Sequence, residues 1–92
     1  MMIEVTSVQP YGGRYLLLTF NDDDYAKVFD TYSLRKLPVF SSLENPKFFN
    51  AVFVDEGAVG WNEELQLDPD VLFEESVAVE EIISTFFNPI DQ

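Results

Sequence analysis

The chain contains no cysteine and no histidine. Missing cysteine excludes disulfides, thiolate metal sites and thiol nucleophiles, and fits a reducing compartment without demanding one. Missing histidine removes the commonest general base, the commonest zinc ligand and the usual switch near neutral pH. Bases are scarce too: five Lys and Arg stand against 17 Asp and Glu, for a formal charge of −12. Glycine is sparse, and its one adjacent pair, Gly12-Gly13, is not followed by the lysine and hydroxyl residue of a phosphate-cradling loop. No run approaches the ~20 apolar residues of a bilayer span, and Met1-Met2-Ile3-Glu4 does not open like a leader, so the expectation is a soluble, cytoplasmic protein.

What is present is a chain able to fold. At 92 residues it is long enough for one core and too short for two independent ones. Hydrophobic residues make up 47% and aromatics 15%, enough buried surface to offset chain entropy, so this is not a disordered acidic tail. The charge is unevenly spread. Arg14, Lys27, Arg35, Lys36 and Lys47 all precede Phe48, where Glu4, Asp22, Asp23, Asp24, Asp30 and Glu44 leave a net of −1; from Phe48 onward there are acids and no base, a net of −11. That half repels phosphate backbones and anionic membranes and attracts a basic partner, although acidity that serves solubility alone reads the same way.

Periodicity predicts an α+β fold: a small antiparallel sheet of about five strands, made of a β-meander plus a second hairpin, with short helices and a C-terminal amphipathic helix. Ile3 to Val8 is rich in β-branched residues, and Tyr11-Gly12-Gly13-Arg14 is a turn. Tyr15 to Phe20 is nearly all apolar, as a central strand buried on both faces would be, and Asn21-Asp22-Asp23-Asp24 turns into a third strand over Tyr25 to Phe29. Asp30 can cap a helical turn over Thr31 to Lys36, which must stop near Leu37 because Pro38 follows. Ser41 and Glu44 have capping-box spacing, but Asn45 as cap with Pro46 in the first helical position is the stronger start, giving one turn over Pro46 to Phe49. Ala51 to Val54, Asp55-Glu56-Gly57 and Ala58 to Trp61 form the second hairpin. Asp68-Pro69 opens a helix carrying Val71, Leu72 and Phe73. Ser76-Val77-Ala78 loosens the pattern, after which Val79, Ile82, Ile83 and Phe86 fall at helical spacing with Glu80 and Glu81 opposite, ended by Asn88-Pro89.

Few constellations carry chemistry. Asp22-Asp23-Asp24 offers three oxygen ligands, but consecutive hairpin residues diverge, whereas a calcium loop uses alternate positions, a glycine and a distal glutamate; a plain turn is the reading. Glu63, Glu64, Asp68, Asp70, Glu74 and Glu75 could pair as acid and base only inside a deep cleft that this length hardly walls off, so they read as a solvated face. The serines lack a histidine to activate them. No cofactor, metal or catalytic residue is therefore expected. Bases are too few, and too poorly interleaved with aromatics, for direct nucleic-acid binding. The aromatics divide: Trp61, Phe49 and Phe73 read first as core, and alternatively as interface anchors, while Phe86 and Phe87 suit an interface as well as a core.

The order of these signals resembles the prokaryotic family called domain of unknown function 2442. The stretches that carry the resemblance are Tyr15 to Phe20 with Asn21-Asp22, Phe40 and Leu43, Asn45-Pro46-Lys47-Phe48-Phe49, Val52-Phe53-Val54, Gly57 to Trp61, and Leu67-Asp68-Pro69-Asp70-Val71-Leu72-Phe73. They lie within residues 3 to 76; Phe73 stands where tyrosine is usual and Asn62 where proline is common. The resemblance implies a small cytoplasmic protein without an established activity, suspected in many members of acting as the antitoxin of a toxin–antitoxin pair. Some members add a DNA-binding helix-turn-helix, which the base-free stretch after Ser76 is not expected to supply.

These readings set the expectations: a family-like α+β domain over residues 1–76, and a helical tail over 77–92 that packs on it, pairs with its own copy or meets a partner. The function expected is protein binding, antitoxin-like, through Trp61, Phe73, Val79, Ile82, Ile83, Phe86 and Phe87, with no direct nucleic acid and no membrane. A regulator acting through a DNA-binding partner is the alternative, and a carboxylate-dependent enzyme the remotest reading.

Overall fold

The computed structural model describes residues 2–21 and 26–79. Val5–Tyr11 (β1), Tyr15–Phe20 (β2) and Lys27–Asp30 (β3) form the expected antiparallel meander. Gly12 and Gly13, both at positive φ, make the first turn. The register shifts between Val5 and Ser7, a bulge that leaves Thr6 unpaired, and the Thr19 hydroxyl lies 2.9 Å from that of Thr6 and 2.6 Å from that of Ser7. Pro10 sits in β1, the sheet's edge strand, where a missing amide proton is tolerated. The Asp22-Asp23-Asp24 turn lies outside the described residues.

Strand β2 is central, but it is not buried on both faces. Leu16, Leu18 and Phe20 are buried while Tyr15, Leu17 and Thr19 are half-exposed. An apolar run does not itself say how many layers will cover it; here the described core covers one side.

Asp30 caps a 3-10 helix over Thr31–Lys36 through its carboxylate and the Tyr32 amide, and the helix ends before Pro38 as expected. A second 3-10 helix, Pro38–Glu44, was not foreseen. Asn45 then wins as cap: its side chain accepts from the Lys47 amide at 2.9 Å and opens α1, Pro46–Phe49. Phe53–Asp55 (β4) and Ala58–Gly60 (β5) form the second hairpin, Asp68 caps α2, Pro69–Glu75, and both Asn45 and Asp68 are followed by proline in the first turn.

Two short strands alter the sheet count. Gln66–Leu67 (β6) pairs with β5, brought there by Asn62, whose side-chain oxygen accepts from the amides of Glu64 and Leu65 and turns the chain back. Val77–Ala78 (β7) pairs with β3. The strands therefore divide into a four-stranded sheet ordered β1-β2-β3-β7 and a three-stranded sheet ordered β4-β5-β6, rather than one sheet of about five. Register depends on non-local partners, which local patterning cannot assign.

The core fills between these sheets and the helices: Leu16, Leu18 and Phe29 from the first sheet meet Leu43, Phe49, Val59, Trp61 and Leu72. One backbone bond ties the sheets directly, from the Val5 amide to the Gly57 carbonyl at 2.8 Å. At that joint Glu56 and Gly57 both take positive φ, 51° and 87°, as a two-residue hairpin loop requires. Gly57 is doubly constrained, since a Cβ there would come within 2.8 Å of the Glu4 side chain.

Opposite signs are expected at these neighbouring positions. Gly57→Ala should destabilise by at least ~1–2 kcal/mol from the left-handed backbone alone, whereas Glu56→Asn, better suited to positive φ, should stabilise by a few tenths to ~1 kcal/mol. Urea unfolding of both variants measures the difference.

Candidate functional site

Of the seven residues proposed from sequence, three are described, and they stand in different surroundings. Trp61 is 6% exposed, and its indole N–H donates to the Phe49 carbonyl at 3.0 Å, the core role that was its first reading. Phe73 is half-buried, edge-on to Phe20 with centroids 5.2 Å apart. Val79 is half-buried and its amide donates to the Ala26 carbonyl at 3.3 Å, beside β3. Ile82, Ile83, Phe86 and Phe87 lie outside the described residues.

Four of the five basic side chains are drawn into the fold, while Lys47 is exposed. Lys27 stands on the core side of β3, opposite Leu18; its ammonium donates to the Phe73 carbonyl at 3.1 Å and lies 3.8 Å from the Phe73 ring centroid. That carbonyl is in the last turn of α2, where carbonyls lack helical partners and a cation is favoured. Arg35 donates to the Gly13 carbonyl, lies 3.7 Å from a Glu44 carboxylate oxygen and packs its guanidinium over Phe49. Arg14 makes two parallel bonds to Asp30, at 2.8 and 2.7 Å, between the rings of Tyr15 and Tyr32; Lys36 covers Tyr32 as well. This stack, with exposed Tyr11 nearby on the same sheet face, is a cation-aromatic cluster that sequence reasoning missed. Its signal is non-local: Tyr15 pairs with Asp30 only once the β2–β3 register is known.

The acids of the second half behave differently. Asp55, Glu56, Glu63, Glu64, Asp68, Asp70, Glu74 and Glu75 are all exposed. Asp55 accepts from the Gln66 amide and Asp68 caps α2, but among the described residues neither ion pair includes any of these eight. The same residues hold no group of three acids arranged for a metal, and no helix long and apolar enough to cross a membrane. The second sheet with its loops and α2 therefore each present exposed carboxylates outside any ion pair of the described residues, and Phe53 on β4 and Val71 on α2 are exposed as well.

Comparison with family models, curated proteins and solved structures finds no match.

The Arg14 hydrogen bonds hold the Asp30 carboxyl below its ordinary range, against the opposing effect of partial burial, and the Tyr32 amide adds to the lowering. Arg14 moves up in turn, chiefly through the same hydrogen bonds. A depressed folded-state pKa contributes stability that is present above the unfolded value and lost as pH falls through the folded one. Stability should therefore decline below about pH 4, the ordinary Asp range, and Asp30→Asn, which keeps the cap, should flatten that decline. Thermal unfolding between neutral and strongly acid pH checks it. Trp61→Ala should cost ~3–5 kcal/mol, the loss expected of a buried aromatic rather than of a surface anchor, measurable by the same unfolding.

Proposed function

We propose that this chain is a protein-binding module whose second sheet and helix α2 dock on a basic surface of a partner protein. The observation that carries this reading is the eight exposed carboxylates described in the second half, outside both ion pairs of the described residues while Arg14, Lys27, Arg35 and Lys36 are engaged elsewhere in the fold. Like charges gathered on one surface cost self-repulsion, and a basic partner relieves that cost while speeding encounter. Exposed Phe53 on β4 and Val71 on α2 supply apolar contact on the same elements.

The resemblance to the domain of unknown function 2442 family makes an antitoxin-like role the specific form of this reading: a small acidic chain that masks a basic toxin. The sequence stripe of Val79, Ile82, Ile83 and Phe86 would extend the contact. A cytoplasmic location follows from the same role.

The test is co-purification of the tagged chain with the product of the adjacent gene at low and high salt. A stoichiometric complex that weakens as salt rises is expected, with Glu63→Lys/Glu64→Lys and Glu74→Lys/Glu75→Lys each lowering affinity by about tenfold or more, the scale of ~1.4 kcal/mol. A complex indifferent to both double variants would remove the acidic surface from the account.

A further inference from the structure

The three-stranded sheet turns one face to the core and one away. Ladder partners share a side, so Val54, Val59 and Leu67 stand together against the core, while Phe53, Gly60 and Gln66 form a row on the opposite side, with Asp55 and Ala58 beside it. Phe53, Asp55 and Gln66 are exposed.

This row is braced. The Gln66 side chain lies against Gly60, where a Cβ would come within 2.8 Å of its Cγ, and its amide nitrogen donates to Asp55 Oδ2 at 3.1 Å. A carboxylate only accepts, so that bond fixes which way the Gln66 amide is turned. Asp55 Oδ1 and Gln66 Oε1 take no part in it. Glycine within a strand marks a close approach; here it admits the side chain that holds the carboxylate. Phe53 and Asp55, two residues apart on β4, are separated by about 7 Å, a span one guanidinium covers when it lies on the ring and reaches the carboxylate.

The first half shows what such a pairing takes. Arg14 makes two bonds to Asp30 while lying 5.2 Å from the centroid of Tyr15, the cross-strand partner of Asp30. Arg35 lies over the Phe49 ring and 3.7 Å from a Glu44 carboxylate oxygen. Both times an arginine joins an aromatic ring to a carboxylate. Phe53 and Asp55 are a third ring and carboxylate on one face, and no base follows Lys47 in the sequence. Among the described residues no cation lies over Phe53 or pairs with Asp55.

We infer that Phe53, Asp55 and Gln66 seat an arginine side chain of the basic partner. The assignment rests on the docking surface proposed above and names the side chain that surface selects. A guanidinium is planar, stacks on a ring and presents paired donors, whereas the lysine ammonium is a strongly hydrated point charge. Because Gln66 already holds Asp55, less side-chain freedom is lost when the arginine arrives.

Hexa-arginine and hexa-lysine peptides carry equal charge, so titrating the isotope-labelled full chain with each, followed by NMR at low salt, separates the seat from general acidity. Both should bind saturably, with hexa-arginine tighter by about threefold, the scale of an exposed cation-π contact. The Gln66 side-chain amide and the Asp55 backbone amide should shift most with hexa-arginine. Phe53→Leu, which keeps apolar bulk without the ring, and Asp55→Asn should each erase the preference for arginine; circular dichroism verifies folding. Equal affinity for the two peptides overturns the seat and leaves the acidic surface standing. A preference that either variant leaves intact, or hexa-arginine shifts confined to other residues, overturns the seat as well. A chain that binds neither peptide loses both the seat and the surface. The shifts are read on the unaltered chain, so a variant that fails to fold leaves that test in force.

Discussion

Val5 donates its amide to the Gly57 carbonyl, and through that bond a meander of local pairings gains its second layer. A three-stranded sheet whose strands are two or three residues long has little stability alone. Joined to β1 at the hairpin loop, and packed through Val59 and Trp61 against Leu16, Leu18 and Phe49, it becomes one wall of a shared core. Its acids inherit a fixed position from the same joint. Close approach of Glu4 to Gly57 leaves no room for a side chain at the loop, so the tie between the layers depends on one residue that carries none.

Lys27 works at a second junction. It reaches from β3 to the final turn of α2, so a cation on the sheet completes a helix that has three acids among its seven residues. Asp68 and Asp70 favour the opposite end of that helix, where positive partial charge gathers. The strongly negative second half thus has its helix stabilised at both termini, by its own carboxylates at one and by a base borrowed from the first half at the other. Within the first half, Arg14, Arg35 and Lys36 are held over aromatic rings or carbonyls. Charge separation along the sequence consequently becomes separation of surfaces.

Much of the local architecture was legible because capping chemistry is local. Asp30, Asn45-Pro46 and Asp68-Pro69 each marked a helix start that the structure adopts, and the hairpin over Phe53 to Gly60 followed from its turn. Strands β6 and β7 were not legible: two residues carry no period, and each is a strand only because a distant edge receives it. Asn62, whose side chain folds the β5–β6 return, was the available clue to the first. The placement of Arg14 against Asp30 and of Lys27 against Phe73 depends on register and on packing between elements, which no spacing within a segment encodes. For the candidate site, sequence located the acidity in the second half and read Trp61 first as core; its burial and its hydrogen bond to the Phe49 carbonyl bear out that reading against its use as an interface anchor.

Pro10, in the outermost strand of the larger sheet, has a consequence for how this molecule behaves when crowded. A strand edge with every amide available is a template on which further chains can extend a sheet indefinitely. Interrupting that row of donors at Pro10 spoils the template at the far end of β1, while the Thr6 bulge distorts it near the start. Open-ended backbone extension from the β1 edge is thereby discouraged, and what that edge offers to other molecules is side-chain chemistry, which is finite in extent and selective in partner.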